Sequence, residues 1–263
     1  MAITRVSTGI AGLDDLLKGG FLPGRSYLIT GDAGTGKTIA CMQFLLSGLQ
    51  RGEKAVYVTV DERPAEILQS AVSLGWDLQS YVQEKSLVIL DASPYFGGRA
   101  GVAAEKGIDL PKIISDLATY AKRMDAKRLA IDPVTPLILS NDSPARIGEH
   151  ARLLIHLLQS QLDTTNLISS HFSTRGDHDL TGGIEEFLAS GVFTLKLKPN
   201  NAQFIRTLSI KKMRGTAVDP ADYPFKLLTG KGLVLDSDIP EVTLDPEPVT
   251  QALQFFELPK EGL

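Results

Sequence analysis

The residues best suited to chemistry are Gly31-Asp32-Ala33-Gly34-Thr35-Gly36-Lys37-Thr38, a complete G-x-x-x-x-G-K-[ST] run. Glycines in such a run let the backbone wrap an anion with dihedral angles that other residues resist. The loop amides and the N-terminus of the following helix then turn positive dipole ends toward phosphate. In this pattern Lys37 reaches the β- and γ-phosphates of a nucleotide, and Thr38 places its hydroxyl on a magnesium ion. The flanks agree: Arg25-Ser26-Tyr27-Leu28-Ile29-Thr30 reads as a buried strand, and Ile39-Ala40-Cys41-Met42-Gln43-Phe44-Leu45-Leu46 as a helix. A glycine-rich turn arising by chance is the weaker alternative, because the motif is complete and sits between a strand and a helix.

Phosphoryl transfer also needs a metal, a positioned water and charge neutralisation. Asp132 closes the apolar run Arg128-Leu129-Ala130-Ile131 and precedes Pro133. A lone Asp there is usually a turn residue, but beside a phosphate loop it fits the second metal-positioning group. Asp61-Glu62 follows a second apolar run, and in open parallel sheets ligands bind beyond the carboxyl ends of the strands. A carboxylate there aligns or activates an attacking water. The same pair also reads as a solvated opening to a helix at Pro64, where acids suit the helix dipole, and position alone does not separate the two. Lys211-Lys212-Met213-Arg214-Gly215 ends a later strand. An Arg that reached a γ-phosphate from a neighbouring subunit would supply transition-state charge, although by itself a solvated basic strand end is the simpler reading. His171, Asp177, His178 and Asp179 match no compact metal-ligand spacing and read as a polar loop. His150 and His156 flank the core on their helix, and Trp76 reads as a packing residue.

The elements that would position these groups alternate between strand and helix from the loop onward, which predicts a parallel sheet covered by helices. Strands are expected at 55–60, 87–90, 128–132 and 166–170, and helices from Pro64 toward Gly75, around 113–120 and over 144–161. A glycine-rich loop is expected over 93–109. After residue 190 the period changes. Val192–Leu197 and Phe204–Ile210 flank Pro199-Asn200-Asn201, a hairpin signal, and short strands follow near 225 and 233. The expected fold class is therefore α/β, mainly parallel, with an antiparallel C-terminal extension. Residues 1–239 form the folded unit, and 240–263 are an appended tail.

The 263 residues are 43% hydrophobic with a net charge of −4, ordinary for a domain with a real core. Residues 236–263 hold seven acids against Lys260, leaving 24 acids and 26 Lys plus Arg elsewhere. A near-neutral body lacks the basic footprint of a dedicated nucleic-acid binder, and no apolar run is long enough to span a membrane. The start of the chain does not read as a signal peptide, so a cytoplasmic location is expected. The single cysteine, Cys41, permits no intrachain disulfide and reads as a small buried residue.

Together these blocks resemble the KaiC family of the RecA-like ATPases. The resemblance begins at Ser7-Thr8-Gly9-Ile10-Ala11-Gly12-Leu13-Asp14-Asp15-Leu16-Leu17 and Gly19-Gly20-Phe21-Leu22-Pro23-Gly24-Arg25. It continues through Thr59–Pro64, Ser73-Leu74-Gly75-Trp76-Asp77, Ile89–Pro94 and Ala130–Thr135. It ends with Gly183–Phe187, Lys212-Met213-Arg214-Gly215-Thr216 and Tyr223-Pro224-Phe225. The resemblance implies a RecA-like fold, ATP or ADP and magnesium as ligands, and a ring, commonly a hexamer, with ATP between neighbours. By residue it implies phosphate contacts from Gly34, Thr35, Gly36, Lys37, Thr38 and Ile39, with Thr38 and Asp132 toward the metal. Asp61 and Glu62 stand where the family has paired catalytic glutamates. Lys212, Met213, Arg214 and Thr216 match the motif that reaches ATP across the interface. Ser73 matches a nucleotide-contacting serine and Thr229 a ribose- or base-contacting segment.

Departures limit what carries over. Clock members of the family have two such domains and this sequence has one. Glu186-Phe187 occupies the place of a phosphorylated Ser-Thr pair, which disfavours autokinase activity, and Ser173-Thr174 lies elsewhere. Asp61 is shorter than the family's first glutamate, which leaves Glu62 as the base or slows turnover. The leading expectation is a slow, ring-forming, magnesium-dependent ATPase that signals as a switch or timer to unidentified protein partners. A non-catalytic ATP-dependent scaffold is the alternative, and a DNA recombinase relative ranks lower still.

Overall fold

The computed structural model describes residues 4–93, 109–138, 144–170, 189–200 and 203–235. Within these, one nine-stranded sheet runs in the order β3-β2-β4-β5-β1-β6-β7-β8-β9. Its parallel part comprises β1 (Ser26–Gly31), β2 (Lys54–Thr59), β3 (Leu87–Asp91), β4 (Ala126–Asp132) and β5 (Thr165–Ser170). Their register is in step: Thr30 pairs with Ser170, and Thr59 with both Asp91 and Asp132. β6 (Gly191–Asn200) joins β1 in parallel, and β7 (Gln203–Met213), β8 (Asp222–Leu228) and β9 (Gly232–Leu235) continue antiparallel. The expected α/β class with an antiparallel extension is what the chain adopts.

Strands buried on both faces read as continuous apolar runs rather than alternating ones, and β1 and β5 are buried at every residue. The two-residue side-chain period then divides each strand between two cores. Tyr27, Ile29, Ala55, Tyr57 and Ala130 face α2 (Lys37–Leu49), and Leu28, Val56, Val58, Leu129 and Ile131 face the other side. The second core is closed by α5 (Leu110–Met124) and α7 (Pro144–Gln161), and α7 has the bounds expected from sequence. The first core also takes in α3 (Pro64–Ser73), α4 (Leu78–Gln83) and the lead-in helix α1 (Leu13–Leu16). Phe21 stacks on Tyr27 with ring centroids 3.8 Å apart. A short α6 (Thr135–Ile138) follows β4. The helices α1, α4 and α6 were not anticipated, because four to six residues carry too little periodicity to register.

One buried charge ties these layers together. Arg128 is fully buried in β4 and donates to Glu53 at 2.5 Å, to the Ser7 carbonyl at 2.7 Å and to the Phe44 carbonyl at 2.8 Å. Its guanidinium also lies 4.8 Å from the Phe44 ring centroid. Burial lowers its pKa, and the Glu53 carboxylate beside it opposes that shift. Cys41 and Trp76 are buried as expected, while His150 is half-buried and His156 exposed on α7. No described helix is long and apolar enough to cross a membrane.

Candidate functional site

Parallel packing brings the ends of β1, β2, β4 and β5 to one edge of the sheet, and the loop 31–38 leaves β1 there. Gly31 has φ +149°, and a Cβ at this position would sit 2.4 Å from the Leu195 carbonyl oxygen, so only glycine lets β1 turn into the loop against β6. Thr35 is buried, and its hydroxyl donates to the Asp32 carbonyl at 2.8 Å. α2 starts at Lys37 immediately after Gly36, so its first-turn amides point back into the loop. Lys37 is buried and its ammonium donates to the carbonyls of Gly31 at 2.7 Å and Asp32 at 2.8 Å. Burial pushes its pKa below the ordinary lysine value, and the Asp132 and Asp32 carboxylates work against that shift. Gly34 is exposed, and Thr38 and Ile39 are half-buried beside it. The loop is thus a shaped cradle of amides and one desolvated cation, which suits a polyphosphate.

Two strands away, Asp132 is buried at the end of β4. The Tyr57 hydroxyl donates to its Oδ2 at 2.6 Å and the Ser169 hydroxyl donates to its Oδ1. Desolvation, then the charge of Asp132, hold the Tyr57 phenol well above its ordinary pKa, so it stays a donor. Past the end of β2, the Thr59 hydroxyl donates to the Glu62 carbonyl at 2.6 Å and fixes the turn that presents Asp61 and Glu62. Both are exposed. Partial desolvation, then the charges of Asp132, Glu66 and Asp61, raise the Glu62 carboxyl above its ordinary pKa. Among the described residues no group of three or more His, Cys, Asp or Glu could by itself hold a metal ion. A cation here would draw on Thr38, Asp132 and the oxygens of a bound phosphate, which is how magnesium is commonly held.

A family model described as the KaiC ATPase matches residues 6–238. The chain belongs to the KaiC ATPase family. A UPF0273 protein of Methanopyrus kandleri is 33% identical over 247 residues, covering 90% of this chain and 94% of its own. The circadian clock oscillator protein KaiC of Synechococcus elongatus is 35% identical over 227 residues, 86% of this chain but 43% of its own length. The chain therefore spans less than half of that clock relative. The crystal structure of a KaiC-like protein from Pyrococcus horikoshii aligns with a TM-score of 0.74 at 30% identity, over 89% of this chain and all of that one. The fold is accordingly the KaiC-like RecA fold, and family membership makes this an ATP-binding chain.

In this KaiC-family chain the basic strand end lies at the opposite end of the sheet from the phosphate loop. Register places Tyr27, Gly191 and Met213 level with one another at the amino end of β1, whereas Gly31 is level with Leu195 and Leu208. Four residues of strand separate the two levels, about 13 Å. Lys212 and Met213 are half-buried and Arg214 is exposed. Thr216 accepts a hydrogen bond from Arg5 at 2.8 Å rather than pointing along the sheet toward the loop.

Ser73 and Thr229, 156 positions apart, come to neighbouring turns. The Gly230 N–H donates to the Leu74 carbonyl at 2.7 Å, and the Trp76 indole N–H donates to the Gly230 carbonyl at 3.2 Å. Ser73 itself is exposed, and its hydroxyl donates to the Gln69 carbonyl at 3.0 Å. Gln43 on α2 locks the β8–β9 turn by donating to the carbonyls of Lys231 and Leu233 and accepting from the Leu233 N–H. Gln43, Tyr57 and Ser169 escaped the sequence reading because their partners lie 37 to 190 positions away. Most of the 93–109 loop, the cluster of His171, Asp177, His178 and Asp179, Ser173-Thr174, Gly183–Phe187 and the tail 240–263 lie outside the described residues.

Proposed function

We propose that this chain is a magnesium-dependent ATPase that acts as a ring, with each ATP held between two copies. The observation that carries this reading is the separation of the two halves. The phosphate loop with Asp132 and Glu62 lies at one end of the sheet and Lys212-Met213-Arg214 at the other, an arrangement that favours serving two different nucleotides in neighbouring copies. Gly34 to Ile39 cradle the phosphates, and Lys37 faces the β- and γ-phosphoryl oxygens. Ser73 and Thr229 lie toward the nucleoside, and Lys212, Met213, Arg214 and Thr216 approach from the neighbour. Thr38 and Asp132 would hold a magnesium ion there, which would supply neutralising charge to the phosphates. Glu62, with its raised pKa, takes the proton of the attacking water, and Asp61 orients that water. The shorter Asp61 makes turnover slow, which suits a switch or timer read by protein partners. In this proposal the ATPase unit spans 1–239 and the acidic tail 240–263 is appended to it.

Phosphate release by the purified protein tests this. Glu62→Gln should lose roughly 100-fold or more, the usual contribution of a general base, and Lys37→Ala should abolish release. The assembly mass should rise with a non-hydrolysable ATP analogue. Equal release from all three proteins would remove the enzymatic role. ATP-dependent assembly with the ATP recovered intact would leave a scaffold instead.

A further inference from the structure

The stretch Arg214-Gly215-Thr216 continues past the end of β7, and the N-terminal lead-in holds it. The Arg214 N–H donates to the Ser190 carbonyl at 2.7 Å, which anchors the start of the stretch. Beyond it, the Arg5 guanidinium donates to the Thr216 hydroxyl at 2.8 Å, to the Gly20 carbonyl at 2.9 Å and, at 3.4 Å, to the Gly215 carbonyl. Gly215 has φ +72°, and a Cβ there would come 3.1 Å from Leu22 Cδ1, so the turn suits glycine. Arg5 is itself fixed. Its neighbour Val6 exchanges both backbone hydrogen bonds with Phe21, at 2.8 and 2.7 Å. A guanidinium offers several donors in one rigid plane, so a single side chain can fix three acceptors at once.

We infer that Arg5 is a positioning residue, one that sets where Arg214 stands for the nucleotide of the neighbouring copy. This rests on the shared-site reading above. The same lead-in runs on to Gly9, whose carbonyl accepts from Gln43 at 2.8 Å. Gln43 stands on α2, whose first turn forms the phosphate loop. The lead-in is therefore a strap between the phosphate-gripping helix of one protomer and the cations that this protomer offers to the next. None of the atoms that Arg5 grips belongs to the phosphate loop and two of the three belong to the Gly215-Thr216 turn, so loss of Arg5 should fall first on Arg214.

That direction makes the test specific. A Lys37→Ala chain keeps its basic strand end but lacks its phosphate grip, and an Arg214→Ala chain has the reverse defect. Mixed, they should recover phosphate release at sites built from one intact half of each. Adding Arg5→Ala to the Lys37→Ala chain should cut the recovered rate roughly 10–100-fold, the scale of a small misplacement of a charged group. Adding it to the Arg214→Ala chain should leave the recovered rate unchanged. Arg5→Lys, which keeps one donor of the fork, should restore part of the loss. Arg5→Gln, which keeps the reach but not the charged fork, should lose as Arg5→Ala does, and it carries the test if the Arg5→Ala chain folds poorly. Equal loss from either placement, or no loss from both, would overturn the inference while leaving the shared site standing. A mixture that recovers nothing with Arg5 intact would instead remove the shared site, and the inference with it.

Discussion

At the carboxyl end of β1 the chain closes on itself. The Lys37 ammonium is satisfied by two carbonyls of its own loop, and both Asp132 oxygens accept from hydroxyls of adjacent strands. At the amino end, Lys212 is the next-to-last residue of β7 and Arg214 follows it, and the backbone beyond is held by one Arg from another part of the chain. The first end holds its geometry through these contacts, because the buried ammonium of Lys37 and both oxygens of Asp132 already have partners. The second end carries Lys212 half-buried and Arg214 exposed. A phosphate grip must be stiff to bind, whereas in the proposed ring a group delivered to the next copy must reach beyond the surface that carries it.

Two glycines separate these ends by experiment. Gly31→Ala puts a Cβ 2.4 Å from the Leu195 carbonyl oxygen and 2.9 Å from the Thr35 hydroxyl. Backbone cannot yield cheaply there, so nucleotide affinity should fall tenfold or more, about 1.4 kcal/mol or greater. Gly191→Ala puts a Cβ 2.8 Å from the Tyr27 ring and 2.9 Å from the Met213 sulfur. That should push the basic strand end aside and reduce phosphate release more than affinity. Calorimetric titration with ADP, run beside a phosphate assay, compares them. The same ratio of binding loss to turnover loss in both variants would mean the ends are not distinct.

Tyr57→Phe probes the stiffness of the first end directly. It leaves the buried Asp132 Oδ2 without its 2.6 Å donor and changes little else in volume. An unsatisfied buried acceptor costs about 1–3 kcal/mol. The variant should therefore unfold at lower urea with an unchanged slope and should bind ADP in the absence of magnesium as the parent does. An unfolding midpoint equal to the parent's would mean that Ser169 alone suffices to hold the carboxylate.

What the sequence revealed and what it concealed divide along the same line. The loop announced itself because a phosphate cradle is local: eight consecutive residues carry the glycines, the lysine and the hydroxyl. Asp132 was readable as the end of an apolar run, and the parallel strands as runs without alternation. The partners of these groups were not readable. Arg5 meets Thr216 across 211 positions and Gln43 meets Leu233 across 190, and only sheet order brings such pairs together. Arg128 was read merely as the first residue of a strand, since nothing local marks a charge that will be buried between a helix and the lead-in. That the strand end at Lys212 points away from its own loop follows from register, which turn and pairing geometry set and composition does not.

The smallest effect concerns Glu62, where the self-contained end meets solvent. A base must be ionised to take a proton, so turnover should be present above the Glu62 pKa and lost as pH falls through it. Because desolvation and the neighbouring carboxylates raise that pKa, the acid limb should lie above the range of an ordinary glutamate. Glu66 contributes to the rise, and its carboxylate also accepts from the Arg63 N–H at 2.9 Å at the start of α3, outside the loop. Glu66→Gln removes one negative neighbour and keeps a side-chain acceptor for that N–H. The acid limb of the pH–rate profile should then move to lower pH, while the plateau rate stays close to the parent's. A limb that does not move with Glu66→Gln, yet persists in the residual rate of Glu62→Gln, would assign the titration to another group and the water to another base.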